Sequence, residues 1–174
     1  KAKKKCKKER QTSLALFIDF KMKYLQDRAS AISPKEDFEN LLNSKKSLRV
    51  KLGVDPTAPD VTLGWYAILR ALRKFQEYGH TAVLILGEFT AQVGDPSGKS
   101  ETRSKIGTDE ITKNSKGVLP IIENILMKDN LEIVSNKDWL SKLKSSEIVN
   151  LASSTTLAQM LEREDFSSRY ANNS

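Results

Sequence analysis

Residues 49–103 read RVKLGVDPTAPDVTLGWYAILRALRKFQEYGHTAVLILGEFTAQVGDPSGKSETR, and this stretch decides the fold. A short β-branched run at residues 50–54 predicts a first strand, and the two prolines and two aspartates of residues 55–60 predict a turn. The almost wholly apolar run at residues 81–86 predicts a second strand that is covered on both faces. The unit is therefore strand, helix and parallel strand, with the loops that follow the strands gathered at one edge of the sheet.

The segment between these two strands has the apolar spacing of an amphipathic helix. Gly79 follows the last apolar position, where a glycine is expected to cap the C-terminus because it adopts the left-handed conformation at no steric cost. The predicted buried face of this helix comprises Leu63, Ala67, Ile68, Ala71, Leu72 and Phe75.

The remaining elements are predicted from the spacing of apolar residues and from residues that begin or end helices. A short helix is expected to start at Ser33 and Pro34, and an amphipathic helix is expected within residues 14–31. Thr108 is the expected N-cap of a helix that reaches residue 127 and that breaks or bends near Gly117 and Pro120. A third strand is predicted at residues 131–134, and two further helices are predicted at residues 145–152 and 156–164.

These elements predict an α/β fold with three or more parallel strands and helices on both faces of the sheet. We expect residues 1–12 to form a basic disordered tail and residues 13–47 to form a helical segment. Residues 48–174 are then the Rossmann-like domain.

Four separated motifs, in this order, resemble the bacterial-type tyrosyl-tRNA synthetases, which are class I aminoacyl-tRNA synthetases. They are KLGVDPTAPD at 51–60, GEFTAQVGDPSGKSETR at 87–103, the pair Asn136 and Trp139, and MLEREDF at 160–166. The resemblance covers roughly residues 48–169. It implies the first half of the doubly wound parallel sheet of the synthetase catalytic domain.

The resemblance also implies where substrates would bind. GDPSGKS at 94–100 is one residue short of a phosphate-binding Walker A loop, so the synthetase resemblance explains it better. In the family, the carboxylate that matches Asp95 binds the α-amino group of tyrosine, although an aspartate before proline also commonly caps its own turn. The implied ATP contacts are Gly53, Asp55, Thr57 and Gly64, and the implied tyrosine contacts are Asp95 and Asn136.

One family motif is altered in this chain. The family has His, a hydrophobic residue, Gly and His at the start of the first long helix, and both imidazoles donate to the ATP phosphates. Thr62 and Trp65 replace the two histidines here, and Trp65 is expected to project into the phosphate region. Loss of one such donor typically costs about 10² to 10³ in rate. We therefore expect no catalytic residues, no bound cofactor and only vestigial ATP and tyrosine sites.

Composition excludes several other functions. The chain is 39% hydrophobic and 29% charged, which is typical of a globular domain. Cys6 is the only cysteine, so an intramolecular disulfide and a cysteine metal site are excluded. His80, the only histidine, follows Gly79 at a predicted helix-to-strand turn, and no Ser-His-Asp set accompanies it. We expect a structural role for His80, and no apolar run is long enough to cross a membrane.

Most of the net charge of +7 lies at the start of the chain. Residues 1–10, from Lys1 to Arg10, contain seven basic residues and one glutamate. Such a segment either contacts RNA or acidic protein, or is a solvated terminus. The lysine-rich start without methionine suggests an organelle protein of the plastid or mitochondrion, with the cytoplasm as the alternative.

Two functions are compatible with these residues. The first is a synthetase-derived, non-catalytic subunit that binds protein chains of a larger assembly through an incomplete sheet edge. The family completes its site with a second half-domain and a KMSKS-type loop, neither of which we expect within residues 1–174. The second is a portion of an active tyrosine–tRNA ligase that forms tyrosyl-AMP and tolerates Thr62 and Trp65.

Overall fold

A computed structural model of the chain describes residues 24, 27–44, 46–93 and 106–172. The chain divides into two compact units, Lys1–Leu48 and Arg49–Ser174. In the first unit, helix α1 spans Lys35–Asn43 and begins directly after Pro34, as predicted. The amphipathic helix predicted within residues 14–31 lies largely outside the described residues.

The second unit contains a three-stranded parallel sheet with strand order β1-β2-β3. The strands are β1 (Arg49–Val54), β2 (Thr81–Leu86) and β3 (Leu131–Ser135). Helix α2 (Leu63–Glu77) connects β1 to β2, whereas α3 (Thr90–Val93), α4 (Thr108–Ile125) and a 3₁₀ turn (Lys128–Asn130) lie between β2 and β3. The chain continues as α5 (Lys137–Leu140), α6 (Ser145–Ser153), α7 (Leu157–Leu161) and α8 (Glu164–Ala171).

The two long helices of this unit share one face of the sheet. Leu52, Leu84 and Ile133 are register partners across the three strands. Helices α2 and α4 both contribute to one core with alternate residues of the strands, so these two helices cover the same face. The strands are added in one direction, and right-handed crossovers then place these two successive helices on the same side. The shared core contains Val54, Ala82, Leu84 and Leu86 of the strands, Leu69 and Leu72 of α2, and Val118 and Ile122 of α4.

The buried face predicted for α2 is correct at Leu72 but wrong in its first two turns. Leu63 is 87% exposed and Ile68 is also exposed, whereas Leu69 and Gln76 are buried. The buried stripe consists of Trp65, Leu69, Leu72 and Gln76, of which Trp65 is half-buried. Because a glutamine is part of this stripe, the spacing of apolar residues alone does not identify it.

Helix α4 also differs from its prediction. It begins at Thr108 with Gly107 as N-cap, and it continues through Gly117 and Pro120 without a break. Pro120 removes one helical N–H, but it lies on the exposed side of the helix, where water can bind the carbonyl group left without that donor. At the end of the chain, α7 is shorter than predicted, and α8 was not predicted at all.

A buried polar cluster joins the end of α2 to the connection between α4 and β3. Gln76 is only 2% exposed. Its Nε2 donates to the carbonyl of Met127 at 2.8 Å and to that of Asn130 at 3.0 Å, and its Oε1 accepts from the Met127 N–H at 2.9 Å. Asn130 Nδ2 in turn donates to the carbonyl of buried His80 at 2.7 Å. Gly79, between these elements, has φ +85°, as the predicted C-terminal cap requires.

Replacement of Gln76 by leucine tests this cluster. Gln76→Leu keeps a side chain of similar size but leaves the buried N–H and C=O groups of Met127 without their partners. We expect a loss of about 2 to 4 kcal/mol in the free energy of unfolding. Chemical denaturation measures the change. Arg70→Gln, on the exposed side of α2, is the control and should change stability by less than about 0.5 kcal/mol.

Candidate functional site

The turns that follow the three strands meet at one edge of the sheet. The N–H of Gly87, after β2, donates to the carbonyl of Val54 at the end of β1, at 2.8 Å. The N–H of Asn136, after β3, donates to the carbonyl of Leu86 at 2.9 Å. Backbone hydrogen bonds therefore hold the three turns together at the carboxyl ends of the strands, where parallel sheets bind ligands.

Side chains connect the same three turns. Asn136 is buried; its Oδ1 accepts from the N–H of Phe89 at 2.8 Å, and its Nδ2 donates to the hydroxyl of Thr90 at 3.0 Å. That hydroxyl donates to Asp55 Oδ1 at 2.7 Å. Asp55 and Asn136, both predicted site residues, are thus linked through Thr90. Asn136 orients Thr90, and Thr90 orients the carboxylate of Asp55.

Gly87 allows this arrangement because it has no side chain. A Cβ at residue 87 would overlap Oδ1 of Asp55 and would lie 2.7 Å from the hydroxyl oxygen of Thr90. The Asp55 carboxylate therefore occupies the space that any other residue would fill. No feature of the sequence identified Gly87 or Thr90 individually, although both lie in the motif at residues 87–103.

At the start of α2, the two replaced histidine positions have local roles. The Thr62 hydroxyl accepts a hydrogen bond from the N–H of Trp65 at 3.4 Å and so caps the helix. The half-buried Trp65 side chain packs against the hydrophobic core. This placement differs from the expected one, in which the ring projects into the phosphate region. A partly apolar stripe on this side of α2 explains the difference, because the ring completes it.

The other predicted site residues vary in their surroundings. Gly53 lies on the exposed edge of β1, with open space where a Cβ would be. Gly64 lies beside Thr62 in the first turn of α2, and the Thr57 N–H donates to the carbonyl of Asp55 at 2.8 Å. Asp95 lies outside the described residues, as do Cys6 and the basic segment from Lys1 to Arg10.

Two further observations bear on the chemistry of the described part of the chain. Within residues 24, 27–44, 46–93 and 106–172, no three His, Cys, Asp or Glu side chains are grouped as a metal site would require. No helix in these ranges has the length and apolar character needed to cross a membrane.

Helix α4 supplies a site contact that the sequence did not indicate. Asn114 Nδ2 donates to the carbonyl of Pro56 at 3.2 Å, in the turn that follows β1. A second unpredicted contact joins the turn after β2 to the end of β3, where the Ser135 hydroxyl donates to Glu88 Oε2 at 2.6 Å. The sequence offered no signal for the first contact, because Asn114 lies within a predicted helix.

Comparison with known proteins identifies the family. The sequence profile described as "tRNA synthetases class I (W and Y)" matches residues 43–174. The chain belongs to this family of class I tRNA synthetases. The sheet edge that holds Asp55, Thr90 and Asn136 is therefore the strand-end edge of a class I synthetase-type domain.

Curated relatives of this synthetase-type domain are tyrosine–tRNA ligases. The ligase of Carboxydothermus hydrogenoformans is 47% identical over 135 residues, which are 78% of this chain and 33% of that protein. The ligase of Moorella thermoacetica is 42% identical over 156 residues, which are 87% of this chain and 38% of that protein. The chain thus spans little more than a third of the length of these relatives.

Solved structures show the same fold. A C-terminally truncated mitochondrial tyrosyl-tRNA synthetase of Aspergillus nidulans matches with a TM-score of 0.70 at 20% identity, covering 88% of this chain and 48% of that one. The corresponding protein of Coccidioides posadasii matches with a TM-score of 0.66 at 23% identity, covering 88% and 45%. The predicted α/β, Rossmann-like fold of a class I synthetase is confirmed.

A pair of glycine substitutions tests the packing at the strand ends. Gly87→Ala forces the Asp55 carboxylate and the Thr90 hydroxyl to move, so we expect a loss of about 1 to 3 kcal/mol in the free energy of unfolding. Gly53→Ala is the matched control, since its Cβ enters open space; it should be neutral or should stabilise by up to about 1 kcal/mol. Equal effects of the two substitutions would contradict the close approach at Gly87.

Proposed function

We propose that this chain is a domain derived from a tyrosyl-tRNA synthetase that does not form tyrosyl-adenylate and that acts as a structural or RNA- or protein-binding subunit. The observation that carries the proposal is the pair of residues at the start of α2. Thr62 and Trp65 stand where the family has the two imidazoles that donate to ATP phosphates. In this chain Thr62 caps the helix and Trp65 packs against the core.

Phosphate chemistry explains why this pair matters. Charge develops on the phosphate oxygens as tyrosine attacks ATP, and positioned donors stabilise that charge. The Thr62 oxygen accepts a hydrogen bond within its own helix, which leaves its single O–H as a neutral donor in place of an imidazole. The backbone N–H groups of the first helical turn still attract an anion, but binding a phosphate equally well before and during reaction does not raise the rate.

An alternative function is that of an active tyrosine–tRNA ligase, of which this chain forms one portion. The linked side chains of Asp55, Thr90 and Asn136 support it, because they give the strand-end edge a fixed and polar geometry. Sequence identity of 42 to 47% to tyrosine–tRNA ligases also supports it. This alternative requires that Thr62 and Trp65 be tolerated.

A chimaera distinguishes these two functions. The 135 aligned residues of the Carboxydothermus hydrogenoformans ligase are replaced by the matching part of this chain, so that the remainder of a ligase is present. We expect tyrosine-dependent exchange of pyrophosphate into ATP to fall by at least about 10²-fold, because two donors are missing. Thr62→His together with Trp65→His in the chimaera should recover at least about tenfold of that loss.

The control for this experiment adds two imidazoles elsewhere. Thr112→His with Lys116→His places them on the exposed side of α4, where they should not restore exchange. If the unmodified chimaera exchanges pyrophosphate at the rate of the parent ligase, the chain is competent for catalysis and the alternative function is correct.

The subunit role is supported by apolar surface. Among the described strands, β1 and β3 each pair on one side only, so both leave backbone groups at an edge. Helices α6 and α7 expose Ile148, Val149, Leu151, Leu157 and Met160. Exposed apolar side chains of this kind are common at protein interfaces. We propose that other chains of a larger assembly cover it.

RNA contact and location complete the proposal. The basic residues from Lys1 to Arg10 would contact RNA phosphates, a contribution that weakens steeply with salt. A plastid or mitochondrial location is proposed from the lysine-rich segment at residues 1–10.

Introduction of negative charge on the exposed helix α7 tests the interface. Leu157→Asp with Met160→Asp places two charges on the proposed apolar contact, and we expect the tagged chain to be lost from fast-sedimenting complexes of a cell extract. Thr112→Asp with Asn124→Asp, on the exposed side of α4, adds the same charge and should leave sedimentation unchanged. Circular dichroism checks that both variants fold. Normal sedimentation of a folded Leu157→Asp, Met160→Asp chain would exclude this surface.

A further inference from the structure

We infer that helix α4 holds the turn at residues 55–60 in place, and that Asn114 and Gly117 are positioning residues for the ligand site at the end of β1. Two contacts between α4 and this turn carry the inference. The effect on ligand binding rests on the proposed synthetase origin and on the vestigial ATP contacts that the sequence predicts at this sheet edge. The effect on the turn itself does not.

The first contact is a buried hydrogen bond. Asn114 is 4% exposed, and its Nδ2 donates to the carbonyl of Pro56 at 3.2 Å. Pro56 is itself fully buried and directly follows Asp55. The bond therefore fixes the peptide group next to the aspartate whose carboxylate accepts from Thr90.

The second contact is a close approach of helix and turn backbones. A Cβ at Gly117 would lie 2.9 Å from the carbonyl oxygen of Pro59 and 3.4 Å from its Cβ. Any larger residue would push the two apart, because the nearest atom belongs to the backbone. Asn114 and Gly117 are three residues apart, which places them on one side of α4. Asn114 therefore contacts the turn at Pro56, and Gly117 contacts it at Pro59.

Neither residue is explained by the helix alone. Glycine and asparagine both disfavour a helix interior relative to alanine, and glycine does so more strongly. The apolar contacts of α4 with the core are made by other residues, among them Val118 and Ile122. The contacts with the turn therefore account for the presence of Asn114 and Gly117 in the middle of α4.

These contacts link α4 to the rest of the strand-end edge. Within the turn, the Thr57 N–H donates to the carbonyl of Asp55 at 2.8 Å. Hydrogen exchange at the Thr57 amide therefore reports whether the turn is intact. Asp55 connects through Thr90 to Asn136. A shift of the turn therefore moves Asp55 relative to two other strand ends, and with it any ligand group that Asp55 contacts.

Amide hydrogen exchange of the full 174-residue chain tests the positioning role. In Asn114→Ala and in Gly117→Ala, we expect exchange at Thr57 to accelerate at least about tenfold, while the amides of β2 change by less than about threefold. Ser115→Ala is the matched control. Ser115 is the neighbouring residue and is equally buried, and its hydroxyl makes no hydrogen bond in the described structure, so its removal should leave Thr57 unchanged.

A second control separates local from global effects. Ile111→Val trims a buried residue of α4, so it should accelerate exchange at β2 and at Thr57 together. If Asn114→Ala and Gly117→Ala behave in this way, or leave Thr57 unchanged, the two residues only stabilise the fold and the positioning role is wrong.

Titration with ATP as the probe tests the ligand site separately. Chemical shifts of the Thr57 and Gly64 amides report binding. Asn114→Ala should weaken the affinity for ATP at least about threefold, whereas Ser115→Ala should leave that affinity unchanged. If Asn114→Ala and Gly117→Ala accelerate exchange selectively at Thr57 but the unmodified chain binds no ATP, the positioning role stands and the vestigial ATP site is contradicted. Unchanged ATP affinity in Asn114→Ala would overturn its role in the ligand site.

Discussion

The strand-end edge depends on the hydrogen bond between the Thr90 hydroxyl and the Asp55 carboxylate. This bond lies against Gly87, where a Cβ would overlap the carboxylate. It joins the turns after β1 and β2, and Asn136 adds the turn after β3. Each partner is polar and close to the end of a strand, so the bond replaces water that these groups would otherwise bind. The geometry of the edge therefore requires Gly87 as much as it requires Asp55.

In the proposed function, the fold of this synthetase family is kept at the start of α2 while its two catalytic donors are lost. There Thr62 caps the helix and the half-buried Trp65 packs against the hydrophobic core. The sheet, the crossover helices and the polar strand ends are compatible with that change. A class I synthetase fold thus does not by itself establish synthetase activity, because activity depends on particular donors at particular positions.

The winding of the sheet has a consequence for the surface. Strands added in one direction bring α2 and α4 onto the same side, where they share one hydrophobic core. The apolar residues of α6 and α7 do not join this core and are exposed instead. The second unit therefore combines a well-packed sheet and helix pair with helices whose apolar sides still have surface to bury, which is the physical basis of the proposed subunit role.

The sequence by itself determined the three strands, the long helices, the cap at Gly79 and the synthetase family, because β-branched runs, helical periodicity and turn residues act locally. It also predicted Asp55 and Asn136 as site residues through their motifs, and the structure links these two residues through Thr90. Only the tertiary structure decided which side of α2 is buried, since Gln76 is buried for its hydrogen bonds to Met127 and Asn130. It also decided that α4 continues through Gly117, because the approach of Pro59 requires a glycine there. Such contacts join residues about 50 positions apart, and local patterns do not encode them.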